Sequence, residues 1–154
     1  MVLQAIAVAL TKYGILGLTF SSFLSSLVFI PGYASFLIPL FVGLHANPWL
    51  MLAGISIGAI VGEVVNYYLG LVGSKYILHL KLKKAKKWLS TWGEMSVFVV
   101  NLVPLFPADV VNVLIGFLKM DFRTYIISMS LGKIIQYSLL IFGAELLFKF
   151  ISII

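Results

Sequence analysis

Glu63, Asn66 and Tyr67 stand at i, i+3 and i+4 in an otherwise apolar stretch. A helix there carries a carboxylate, an amide and a phenol on one face. Within hydrocarbon an ionised side chain costs about 2.5–3.5 kcal/mol at the centre of a span, so such groups persist where they face a cavity or one another. Glu63 is therefore a candidate for function ahead of mere helix packing. A second acid, Asp109, lies in Asn101-Leu-Val-Pro104-Leu-Phe-Pro107-Ala-Asp109-Val-Val-Asn112. It is predicted to be the N-cap of a helix returning from a proline turn, accepting from the N–H of Val111 or Asn112. In the same place it would face a site between half-helices, as a carboxyl able to take up and release a proton. Lys133, with Gln136 one turn on, falls deep in a later apolar block. It needs a partner, for which Glu63 and Asp109 are the candidates, unless its stem snorkels to the interface. The serines at 21, 22, 25 and 26 have no base near them, and hydroxyls in such helices bond their own backbone.

Other chemistries are excluded or left without residues. There is no cysteine, so disulfides, thiolate metal sites and cysteine nucleophiles are ruled out. His45 and His79 are far apart in the chain and make no metal motif. No nucleophile–base pair, phosphate loop or cofactor motif is present, so no catalytic residue and no cofactor is predicted, and the chain does not read as an enzyme.

The elements that would position these residues follow from composition. Of the 154 residues 62% are hydrophobic and 10% charged, with a mean hydropathy of +1.12. A soluble domain of this size cannot hide that much apolar surface, whereas a bilayer is itself an apolar solvent. The chain reads as one all-α integral membrane domain. Residues 1–10 lack a basic leader region and a cleavage site, and read as mature sequence.

Two apolar blocks, about 49–73 and 123–148, are proline-free and long enough to cross the hydrocarbon core. Two others are broken near their centres: about 15–45 at Pro31 and Gly32, and about 94–118 at Pro104 and Pro107. Neither half of the second block can cross alone. The spacing predicts re-entrant hairpins, which membranes tolerate only where protein or a water-filled cavity surrounds the broken backbone. Between the halves, Leu82, Ala85, Leu89 and Trp92 recur at helical spacing among lysines, predicting an amphipathic interfacial helix over 82–92. The order hairpin, span, amphipathic helix, hairpin, span is an inverted repeat when the two hairpins enter from opposite sides, an architecture of many transporters.

The formal net charge of +6 is concentrated rather than spread. Lys75, Lys81, Lys83, Lys84, Lys86, Lys87, Lys119 and Arg123 would all face one side, which the positive-inside rule makes cytoplasmic. A basic cluster beside apolar spans implies lipid contact, not nucleic acid. The side of the N-terminus is left open. Gly54, Gly58 and Gly62 form one smooth face, which makes close helix contact available, including to a second copy of the chain as a homo-oligomer.

Three stretches resemble the DedA family, whose core is also called the VTT or SNARE-associated Golgi domain. Phe23-Leu-Ser-Ser-Leu-Val-Phe-Ile-Pro31-Gly32 is similar to the family's first re-entrant motif. Gly62-Glu63 followed by Asn66-Tyr67-Tyr68-Leu69-Gly70 resembles its glycine-rich acid segment. Pro104 to Asn112, then Gly116, Met120, Phe122-Arg123 and Leu131-Gly132, resembles the second re-entrant motif and the span after it. Where many bacterial members carry acids around the Pro-Gly, this chain has serines and Tyr33; where many carry an arginine before the second motif's proline, it has Asn101.

The resemblance implies lipid handling in a cell membrane, by a multi-pass flippase or scramblase for phospholipid or polyprenyl-phosphate headgroups. Glu63, Asn66, Tyr67, Asn101, Asp109, Asn112 and Lys133 would line the polar path, and membrane lipids would be the partners. The alternatives are a proton-coupled exporter of small solutes and a non-transporting membrane scaffold.

Overall fold

The computed structural model describes residues 2–27, 38–39, 42–43, 47–76, 83–104 and 107–151. Among these, the regular structure is helical throughout. The long helices are α1 (Val2–Ser25), α2 (Pro48–Tyr76), α3 (Lys83–Leu102), α4 (Ala108–Phe117) and α5 (Phe122–Ile151). Pro31 and Gly32, expected to turn the first hairpin, lie outside the described residues. The arm expected from about residue 15 is part of a helix that already starts at Val2.

Local chemistry sets the helix ends. Asn47 caps α2, its Oδ1 accepting from the N–H groups of Trp49 at 3.0 Å and Leu50 at 3.3 Å. Pro48 follows at the first helical position, where its missing N–H costs nothing. Asp121 caps α5 by accepting from the Thr124 N–H at 3.0 Å and hydroxyl at 3.1 Å. Helix α4 ends in a Schellman motif: the Lys119 N–H bonds the Gly116 carbonyl at 3.0 Å and the Met120 N–H bonds that of Ile115 at 3.3 Å. The motif needs a left-handed residue, and Lys119 fills that place at φ 61°.

Two expectations change. The amphipathic stretch and the first arm of the second hairpin are one helix, α3. Nothing between Trp92 and Met95 interrupts it, since a lone glycine, Gly93, weakens a helix without ending it. Asp109 is not the N-cap of α4: Pro107 holds that position, and Asp109 stands in the first turn. A carboxylate in a first turn is still favoured by the helix dipole.

Helix α2 is central, packed against α1, α4 and α5, while α3 lies on α5. Early α2 residues Met51, Ile55 and Ala59 cluster with late α5 residues Tyr137 and Ile141. Late α2 residue Tyr67 clusters with early α5 residues Tyr125 and Met129. The two long helices therefore run antiparallel, with an apolar cluster toward each end. Glycines bring backbones together where helices cross. A Cβ on Gly58 would meet the Thr19 carbonyl, and one on Gly62 would lie 2.7 Å from Ser26 Cβ. The glycine face of α2 is thus covered by α1 of the same chain. Gly70 and Gly116 form a reciprocal contact, each against the backbone carbonyl of the facing helix, Val113 and Tyr67.

Outward faces stay apolar. Ile57, Val61, Val65 and Leu69 make an exposed stripe along α2, and Ile127, Leu131, Ile135 and Leu139 another along α5. Stripes of this length belong in lipid, and both helices are long and apolar enough to cross a membrane.

Candidate functional site

Midway along α2 and α5, between the two apolar clusters, the side chains become polar and charged. Glu63, Asn66, Asn101 and Asn112 are fully buried, and Lys133 is nearly so. Lys133 Nζ meets Glu63 Oε1 at 2.8 Å. Glu63 Oε2 accepts from Asn66 Nδ2 at 3.0 Å. The same Asn66 amide donates to the Ser26 carbonyl at 2.6 Å, satisfying an orphan acceptor past the end of α1. The third charged group, Asp109, is half-buried and lies in the field of both Glu63 and Lys133.

Asn101 and Asn112 close the hairpin reciprocally. Asn112 Nδ2 donates to Asn101 Oδ1 at 3.0 Å, and Asn101 Nδ2 donates back to Asn112 Oδ1 at 3.2 Å. Asn101 Nδ2 also reaches the Val97 carbonyl at 2.8 Å. Gly132 lets α5 approach this pair, since a Cβ there would lie 3.0 Å from Asn101 Cβ.

Each predicted site residue now has a place. Glu63, Asn66 and Lys133 form one connected cluster with Asp109 in its field, and Lys133 pairs with one of its two expected partners instead of snorkelling. Asn101 and Asn112 bond each other from the two arms of the hairpin. Tyr67 shares the face but turns to structure: its hydroxyl donates to the Met120 carbonyl at 2.6 Å, and its ring stacks on Tyr125 at 4.7 Å. Pro104 lies in the turn after α3 and Pro107 directly precedes α4.

Sequence reasoning missed three contributors. Tyr125 is fully buried and donates to the Glu63 carbonyl at 2.9 Å, pinning α5 beside the acid. A tyrosine at the head of an apolar helix ordinarily signals an interface anchor, which hides this role. Ser22 donates to the Ile55 carbonyl at 2.8 Å, joining α1 to α2, while Ser25 bonds its own helix at Ser22 as expected. Ser56 is buried on the site face of α2 and was lost among the glycines.

The arrangement gathers one buried cation, two acids and three amides in an apolar frame, with no group of three or more metal-ligating side chains among the described residues. The chain matches the model of the VTT domain over residues 30–146. It is 33% identical over 85 residues to an uncharacterised protein of Methanocaldococcus jannaschii, and that match spans 52% of this chain and 52% of the relative. The shared stretch thus amounts to about half the length of that relative. No solved structure matches the chain.

Proposed function

This chain belongs to the VTT-domain (DedA) family of membrane proteins, and from that premise we propose that it moves lipid headgroups between leaflets, as a flippase or scramblase for phospholipid or polyprenyl-phosphate lipids. The observation that carries the reading is the Glu63–Lys133 pair, buried at mid-length of two helices whose outer faces are apolar. Charged groups at that depth are costly, and they mark substrate pathways.

The topology of this reading is a multi-pass protein of the plasma membrane. Helices α2 and α5 cross. Helix α4 has 10 residues, a rise of about 15 Å, half the hydrocarbon thickness. With the second half of α3 it forms a re-entrant hairpin. The lysine-rich end of α3 faces the cytoplasm.

The mechanism is exchange of partners. A phosphate oxygen replaces the Glu63 carboxylate at Lys133 Nζ. Glu63 stays held by Asn66. The tails remain in lipid beside the apolar stripes. Neither a cofactor nor a covalent intermediate is required, and lipids are the partners, not nucleic acid.

The test is reconstitution in liposomes without an ion gradient, following a headgroup-labelled lipid between leaflets. Movement above protein-free liposomes, lost in a folded Asp109→Ala variant, supports the reading. Flux unchanged by that substitution overturns it. The placing of the Asp109 carboxyl in the field of Glu63 favours a second reading, proton-coupled export. In that case movement begins only under an imposed proton gradient. Silence in both conditions leaves the scaffold reading.

A further inference from the structure

Two buried polar atoms stand outside the network just described. Among the described residues, Ser56 Oγ and Gln136 Oε1 have no hydrogen-bond partner, although their residues are only 5% and 7% exposed. Alanine and leucine would fill these positions without leaving a polar atom unpaired. A buried group of this kind calls for a water or a ligand.

Helical register puts both on the same side of the ion pair, Gln136 about 5 Å and Ser56 about 10 Å along the bundle from it. Ser56 precedes Glu63 by seven residues, two turns, on the same face of α2. Gln136 follows Lys133 by three residues and Gly132 by four, one turn further along α5. Because α2 and α5 are antiparallel, both displacements run toward the same end of the bundle, where Trp49 meets Phe142. Gly132 faces Phe98 and Asn101 near the end of α3, so Gln136, one turn on, stands past the level of Asn101. The polar belt therefore continues beyond the Asn101–Asn112 pair, and it does so without charge.

We propose that Ser56 and Gln136 form an uncharged station beside the Glu63–Lys133 pair, receiving the hydroxyls of a polyol headgroup while Lys133 takes the phosphate. This rests on the lipid-transport reading and narrows its substrate class. One headgroup hydroxyl donates to Gln136 Oε1 and a second accepts from Ser56 Oγ. A methyl group in the same place does neither and leaves both atoms unpaired. Sites built to hydrogen-bond a substrate hydroxyl reject analogues that lack it. Water carries the same O–H chemistry, and the experiment separates the two sources.

The probes are dihexanoyl phosphatidylglycerol and dihexanoyl phosphatidylmethanol, which carry the same charge and differ in the headgroup hydroxyls. Each is titrated into the purified protein in detergent while its melting temperature is read, since a ligand of the folded state raises it. The glycerol lipid is expected to give the larger rise. Gln136→Leu and Ser56→Ala should each remove that extra rise, while their unliganded melting temperatures match or exceed that of the parent. In liposomes, Gln136→Leu should slow exchange of phosphatidylglycerol by roughly tenfold or more and leave phosphatidylmethanol within about twofold.

Equal stabilisation of the parent by both probes, or an extra rise that survives both substitutions, overturns the proposal and makes the station a water site. Should the Gln136→Leu protein fail to fold, Ser56→Ala, the smaller change, gives the same reading. The two ideas fail separately. Glycerol-selective stabilisation with no exchange of any lipid keeps the station and overturns transport. Exchange indifferent to Ser56 and Gln136 keeps transport and overturns the station.

Discussion

Lys133 Nζ lies 2.8 Å from Glu63 Oε1, joining the middles of the two longest apolar helices through an ion pair whose side chains are 8% and 0% exposed. Removing one partner strands the other charge in a low-dielectric interior, which costs about 3–5 kcal/mol. Lys133→Met and Glu63→Gln should each lower stability in detergent, the lysine variant more. The double variant should recover over half of the loss, because a buried pair replaced by apolar and neutral groups leaves no orphan charge. Additive losses in a double-mutant cycle would show that the two are not energetically coupled.

The Asn101–Asn112 amide pair gives a second test. Asn101→Ala leaves both polar ends of Asn112 without their partner, at a cost of about 1–3 kcal/mol. Replacing both with leucine should cost less than either single alanine change, provided the side chains fit. The cycle measured by chemical unfolding should show a coupling of about 0.5–3 kcal/mol.

Glycines divide sharply by position. Gly116→Ala drives a methyl into the Tyr67 carbonyl and Gly70→Ala drives one into that of Val113, so each should destabilise by about 1–3 kcal/mol or more. Gly17, Gly73 and Gly143 face open space. Alanine there should be neutral or stabilising by up to about 1 kcal/mol, through helix propensity. Melting temperatures of the five variants check both groups at once.

Lys119 holds a left-handed backbone conformation that costs an L-residue about 1–2 kcal/mol relative to glycine. Lys119→Gly should therefore raise stability, partly offset by the greater entropy of glycine in the unfolded chain. A fall in melting temperature would mean that the lysine charge at the end of α4 outweighs the backbone strain.

Asp121 gives a pH dependence outside the bilayer. The Thr124 N–H, and then its hydroxyl, hold the Asp121 carboxyl below the ordinary carboxylate range. A depressed folded-state pKa contributes stability above the unfolded value and loses it as pH falls through the folded one. Asp121→Asn keeps a good cap but does not titrate. Its stability at neutral pH should stay near that of the parent while the Asp121 share of the acid-side loss disappears, read as a shallower decline between pH 5 and pH 2 (roughly the carboxylate range).

Sequence alone determined the solvent, the helices and the face. Apolar composition requires a bilayer, proline-free runs give α2 and α5, and the spacing of Glu63, Asn66 and Tyr67 puts them on one side of a helix, because these follow from local periodicity. It also narrowed the partner of Lys133 to two acids, since a buried cation needs one. Periodicity does not say which helix a face meets. Only the packed chain decided that Lys133 pairs with Glu63, that Asn101 and Asn112 bond each other, and that Tyr125 donates to the Glu63 carbonyl across 62 residues of sequence. It turned the Gly54, Gly58 and Gly62 face of α2 toward α1. It made α3 continuous through Gly93 and moved the cap of α4 from Asp109 to Pro107, because helix ends are set by the energy of whole segments against their neighbours, not by single residues.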